Sequence, residues 1–185
     1  MASCPSHQRQ KSSPSCHLPV LQTDGAYCAN PPQWLVLYCL QEAACEGGFT
    51  KLVDGFDLLR HALCLEEQKM LMKCSYTFSN RDGTQKIHKP ILQRDKGADL
   101  LWRYSHNALM FGSSSPKMDV QPKNQDVWLQ GIAERIIDFC SDQHQSIRMQ
   151  TGSLLIWDNH RMLHYRSGFT DSNRHLQRLW MNGRL

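Results

Sequence analysis

Cys-x-x-Cys spacing is missing from this chain, although it holds eight cysteines: Cys4, Cys16, Cys28, Cys39, Cys45, Cys64, Cys74 and Cys140. Without paired spacings a structural zinc site or a disulfide framework has no sequence support, and reduced, mostly buried thiols are expected. No apolar run approaches the roughly 20 residues of a membrane span, and no apolar stretch follows the first basic residues as a secretory signal requires. No run of Lys and Arg alternates with aromatics, so the net charge of +4 is dispersed and does not track a phosphate backbone. Nucleic acid and membrane are therefore excluded as expected partners, and a soluble protein in the reducing cytoplasm is expected.

What is present suffices for one core. A chain of 185 residues with 41% hydrophobic content fits a single globular domain. Residues 1–17 are rich in Ser, Gln and Pro, contain no acid and show no apolar periodicity, which predicts a disordered tail. The basic residues and serines there weakly resemble a transit peptide, but the prolines oppose the amphipathic helix such a peptide needs. The remaining residues, 18–185, form the expected domain.

Trp34 to Leu40 is apolar on both alternating faces, as in a strand buried in a barrel or sandwich. A second strand is expected over Phe49 to Val53. Asp54 then caps a helix through Phe56, Leu58, Leu59 and Leu63, and another follows around Leu65 to Lys73. Tyr76 to Ser79 and Gln85 to Leu92 flank the turn Asn80-Arg81-Asp82-Gly83 and predict a hairpin. Val127, Trp128, Ile132, Ile136 and Phe139 fall at helical spacing. Ile147 to Gln150 and Ser153 to Trp157, around Thr151-Gly152, predict a strand pair, and Arg174 to Met181 predicts the last strand. Strands dominate, so the expected class is α+β, mainly β.

Candidate site residues emerge from short segments: Gln22-Thr23-Asp24-Gly25, Gly47-Gly48-Phe49-Thr50, Trp157 to His164, and Asn173 to Arg178. Alone, Asp24 reads as a turn residue before Gly25 and His164 as a core histidine. In order and spacing these segments resemble the taurine dioxygenase (TauD/TfdA) family, which includes the γ-butyrobetaine and trimethyllysine hydroxylases. The most specific part is Asp-Asn-x-Arg-x-Leu-His followed by Arg-x-x-x-Arg, and the resemblance runs from about Leu18 to the C-terminus.

That resemblance implies a double-stranded β-helix, or jelly roll, with inserted helices, and a dioxygenase that uses Fe(II), 2-oxoglutarate and molecular oxygen to hydroxylate a small metabolite, releasing succinate and CO2. It implies an iron facial triad of a His-x-Asp pair and a distant His. Asp24 and His164 match the carboxylate and the distal histidine, while Gln22 stands where the first histidine belongs. Thr50 and Arg174 match the pair that anchors the distal carboxylate of 2-oxoglutarate; an arginine fork suits a planar carboxylate and keeps its charge when buried. Arg178, four residues on and so on the same strand face, meets the primary substrate, a second carboxylate or merely a surface partner.

Two departures set an alternative beside the enzyme. A Gln oxygen is a neutral, weaker donor than an imidazole nitrogen, and only about twenty residues precede Gln22, where relatives carry a longer segment supplying early barrel strands. A barrel incomplete at the N-terminus is expected, as in a fragment, an alternative gene product or a shortened relative, and the alternative function is a catalytically impaired or inactive relative serving as a binding module. His106, His160 and His175 have no partner at metal spacing and read as surface or hydrogen-bonding residues rather than ligands. Trp34, Tyr38, Trp102 and Tyr104 read as core, with an aromatic pocket for a trimethylammonium group as the other option.

Overall fold

The structure, a computed structural model, describes residues 20–94, 100–113 and 126–183; the expected tail over residues 1–17 lies outside them. The chain is mainly β with four helices among the described residues, in the order β1 (Trp34–Gln41), β2 (Thr50–Asp54), α1 (Gly55–His61), α2 (Leu65–Lys73), β3 (Ser75–Ser79), β4 (Lys86–Pro90), β5 (Leu92–Arg94), β6 (Leu100–Trp102), α3 (His106–Phe111), α4 (Val127–Asp142), β7 (Gln145–Ile147), β8 (Leu154–Asp158), β9 (Met162–Arg166) and β10 (His175–Met181). No described helix is long and apolar enough to cross a membrane.

Two antiparallel sheets position the site, β10-β1-β8 and β7-β2-β9. Between them lies a small apolar cluster of Leu35, Leu52 and Trp157, with Leu37, Leu155, Met162, Ile147 and Trp180 against it. Strand alternation turns Val53, Leu163 and Tyr165 the other way, into the large core that also holds Leu58, Leu129, Ile132, Ile136 and Trp102. The β7-β2-β9 sheet thus has one face toward the other sheet and one toward the helices.

Local chemistry accounts for the helices. The Asp54 carboxylate accepts from the Phe56 amide and opens α1, and the Glu67 carboxylate accepts from the Cys64 amide to start α2. Asp126 caps α4 through the Leu129 amide at 3.1 Å. The buried stripe of α4 is Leu129, Ile132, Ala133, Ile136 and Cys140, so the expected face is corrected at its start: Val127 is 79% exposed, because it opens the first turn beyond the edge of the core.

Three other expectations change. Ile147 to Gln150 and Ser153 to Trp157 do not pair; β7 and β8 belong to different sheets. The linker crosses between sheets at Gly152 (φ 84°), where the Gly152 amide donates to the Cys39 carbonyl and the Cys39 amide to the Ser153 carbonyl. The outer face of β1 is buried only at Val36, since Tyr38 and Leu40 are 40% and 43% exposed. Of the six described cysteines, only Cys39 and Cys140 are buried. Trp102 and Tyr104 are core residues, whereas the Trp34 indole donates to the Gly183 carbonyl, so the four aromatics form no common pocket.

Candidate metal and anion site

Gln22 sits between two neighbours, bridged to His164 on one side and Ser105 on the other. Its amide donates to the His164 carbonyl at 3.0 Å and its carbonyl accepts from the His164 amide at 2.9 Å. One residue on, the Thr23 amide donates to the Tyr104 carbonyl. This short extended segment adds to the open edge of β9 and brings residues 22–24 beside a strand about 140 positions later in the chain. Asp24 then begins a turn that runs on to Tyr27, with Gly25 at φ 66°, as its composition predicts.

A fully buried amide fixes the Asp24 backbone. The Asn159 side-chain oxygen accepts from the Asp24 amide at 2.7 Å, and its nitrogen donates to the Asp24 carbonyl at 3.0 Å and the Pro32 carbonyl at 2.9 Å. With both backbone groups held, the carboxylate turns inward, and Asp24 is 3% exposed.

Four side chains converge on that carboxylate. His164 Nε2 lies 3.4 Å from Oδ1, and Gln22 Nε2 donates to the same oxygen at 3.4 Å. Arg178 Nη1 reaches Oδ1 at 3.0 Å and Oδ2 at 2.8 Å. The Trp180 indole donates to Oδ2 at 2.8 Å. Burial pushes the Asp24 carboxyl up, but the Arg178 charge, followed by the His164 contacts and the Trp180 hydrogen bond, outweighs it and holds the group down at about 2. Asp24 is therefore an anion at neutral pH. The His164 ring packs edge-on against Trp157, with centroids 5.3 Å apart, and its buried Nδ1 has no hydrogen-bond partner among the described residues.

These residues fit a divalent cation through Asp24 and His164. Two ligands with bonds of about 2 Å to one ion sit roughly 3 Å apart, close to the observed 3.4 Å. The third position is weaker. Rotating the Gln22 amide offers an oxygen, a neutral donor, and among the described residues no group of three His, Cys, Asp or Glu side chains is assembled.

Thr50 is buried at the start of β2, opposite Arg166 on β9 and Ile147 on β7, with Leu52 opposite His164. Cross-strand partners share a face, so Thr50, Leu52, His164 and Arg166 form one row facing the other sheet. Arg174 immediately precedes β10 and donates to the Gly48 carbonyl at 2.8 Å, two residues before Thr50. Burial, then the neighbouring Arg166 charge, lowers its pKa. Arg174 lies tightly against Gly48: a Cβ there would meet Arg174 Nε at 3.0 Å, at a backbone φ of +69°.

The other expected residues lie apart. His160 Nε2 contacts the Pro31 carbonyl at 3.1 Å, and buried His106 contacts the Tyr104 hydroxyl at 3.4 Å. Trp180, Asn159 and Arg166 were not assigned roles by the sequence. Trp180 was accessible to the same parity rule that groups Arg174 and Arg178, since it lies two residues further along β10.

A sequence profile described as "Taurine catabolism dioxygenase TauD, TfdA family" matches residues 5–180. Among solved structures, an asparagine oxygenase in complex with Fe(II), 3-hydroxyasparagine and succinate is similar with a TM-score of 0.70 at 17% identity, covering 89% of this chain and 50% of its own. PvcB, an Fe, α-ketoglutarate-dependent oxygenase from an isonitrile synthetic pathway, gives 0.63 at 19% identity over 96% of this chain and 62% of its own. The non-heme iron oxygenase OrfP, in complex with Fe, succinate and (3S)-hydroxy-L-Arg, gives 0.62 at 17% identity over 89% and 49%. The chain spans about half to three fifths of the length of these structures.

Proposed function

The chain belongs to the TauD/TfdA family of dioxygenases, whose cofactors are Fe(II) and 2-oxoglutarate, and from that premise we propose that it is the jelly-roll core of an enzyme hydroxylating a small, charged metabolite. The two facing sheets are then the walls of the double-stranded β-helix. The observation that carries the reading is the buried Asp24 carboxylate 3.4 Å from His164 Nε2.

In this reading Asp24 and His164 hold the iron, with the Gln22 amide oxygen as a third, weaker ligand, and the bound metal with 2-oxoglutarate supplies the oxygen-activating chemistry. Thr50 and Arg174 anchor the distal carboxylate of 2-oxoglutarate. Arg178 and the Trp180 indole orient Asp24, and the second guanidinium nitrogen of Arg178 is available to a carboxylate of the substrate or co-substrate. Leu35, Leu52 and Trp157 wall the site with apolar surface and exclude water, which strengthens each of these charged contacts. A reducing, cytoplasmic setting belongs to the same reading, as the lack of any Cys-x-x-Cys pair accords with it.

A second reading, a catalytically impaired relative that binds a small anion, is favoured by one observation: Arg178 and Trp180 already satisfy Asp24 while residue 22 offers no imidazole. Conversion of 2-oxoglutarate to succinate with added Fe(II) and no other substrate separates the two. Gln22→His is expected to bind Fe(II) at least about tenfold more tightly, imidazole being the stronger donor, and to raise this uncoupled turnover. If neither protein binds iron, the enzyme reading fails; if the unaltered chain turns over as fast as the variant, Gln22 is a full ligand.

A further inference from the structure

Across from Thr50 and beside Arg174 stands a second, exposed arginine, Arg166, that the family resemblance does not account for. Arg166 and Arg174 share one aromatic ring: the Arg166 guanidinium carbon lies 4.3 Å from the Phe169 centroid and that of Arg174 5.1 Å. Two like charges on one ring repel, and no carboxylate among the described residues lies within salt-bridge reach of either. Asp171, the acid of the same loop, commits one oxygen to the Ala44 amide and the other to that of Asn173.

The arrangement is held by backbone and not by chance side-chain placement. The Gly48 amide donates to the Gly168 carbonyl at 3.1 Å and the Ser167 amide to the Phe49 carbonyl at 3.0 Å, while the Ser167 hydroxyl accepts from the Phe49 amide at 2.9 Å. Gly47 permits this approach, because a Cβ there would run into the Gly168 carbonyl. The loop between β9 and β10 is thereby laid against the start of β2. Arg166 stands directly across from Thr50, and Arg174 comes in from the opposite sheet. Cation–π contact orients both forks but leaves N–H donors on each of them for a ligand.

We infer that Arg166 is a second anchor for the dicarboxylate: Arg166 and Arg174, seated on Phe169 beside Thr50, form a two-arginine clamp for its terminal carboxylate. This rests on the 2-oxoglutarate reading proposed above. A carboxylate between the forks relieves their mutual repulsion and gains charge-assisted bonds from both. A monocarboxylic 2-oxo acid leaves the clamp empty and the two charges unpaired, so the clamp selects for a dicarboxylate.

Succinate, which lacks the 2-oxo group, probes the clamp without requiring metal. Titration calorimetry on the whole chain is expected to show Arg166→Gln weakening succinate at least about tenfold, and Arg166→Lys, which keeps charge but loses the planar fork, weakening it about threefold. Arg174→Gln is expected to weaken it as much or more. Thermal unfolding verifies that each variant is folded; should Arg166→Gln not fold, the threefold loss in Arg166→Lys carries the test. Unchanged succinate affinity in both Arg166 variants, with loss in Arg174→Gln, overturns the inference and leaves the proposed function standing. Arg166-dependent binding of inorganic phosphate without binding of succinate overturns the assigned ligand class. Arg166-dependent succinate binding in a chain that never converts 2-oxoglutarate, even as Gln22→His, supports the clamp and removes the enzyme reading.

Discussion

Replacing Asn159 by Ala removes three hydrogen bonds from a side chain with no exposed surface. The Asp24 amide loses its acceptor, and the Asp24 and Pro32 carbonyls lose a donor, all in a place that water reaches poorly. A buried polar group left unpaired costs about 1–3 kcal/mol, and some relaxation or water entry is expected, so the sum is taken near the low end, at about 3 kcal/mol. At about 2–4 °C per kcal/mol for a chain of this size, the melting temperature falls by about 6–12 °C. Asn159→Asp is expected to be worse, because it sets a carboxylate oxygen against two carbonyls. The loss is not only one of stability: with its backbone released, Asp24 no longer aims its carboxylate at His164, so divalent-metal affinity falls as well. Urea unfolding and metal titration of the same preparations check both effects. A loss below about 1 kcal/mol, with metal affinity unchanged, refutes the argument that Asn159 sets the position of Asp24.

Acid titration tests the Asp24 ion pair. Because its folded pKa of about 2 lies below the unfolded value of about 3.9, it contributes about 2–3 kcal/mol above roughly pH 4, lost as the pH falls toward 2; urea unfolding of Asp24→Asn is expected to lack this decline. Gly55→Ala is expected to destabilise by about 1–3 kcal/mol through overpacking, since its Cβ would collide with the Trp102 indole and the Arg161 carbonyl; thermal unfolding measures it.

Local patterns in the chain announced most of its elements. Asp54 before an apolar period gave α1, and the span expected for the second helix, Leu65 to Lys73, coincides with α2. The hairpin of β3 and β4 followed from a four-residue turn between two short runs. The failures were non-local. Thr151-Gly152 has the composition of a hairpin turn, yet the flanking strands part because each finds a better partner elsewhere: β7 pairs with β2, and β8 with β1. Nothing in the local pattern around Gly152 encodes that choice. Strands β5 and β6 and the six-residue α3 are too short for periodicity to mark them.

The site was legible only in part for a related reason. Asp24 and His164 stood out by motif, but the partners that hold Asp24 ionised, Arg178 and Trp180, lie 154 and 156 positions away and meet it only once β10 is laid beside β1. The same geometry explains why the fold is silent about Gln22. What residue 22 does for folding it does with its backbone, by exchanging hydrogen bonds with His164, and any non-proline residue can do that. Among the described residues its side chain reaches only the Asp24 carboxylate, and weakly, at 3.4 Å. A buried carboxylate must be paired to be tolerated, and here an arginine and an indole meet that need without help from position 22. An amide at 22 is therefore compatible with the fold, and in the proposed reading what it costs relative to an imidazole is metal affinity alone.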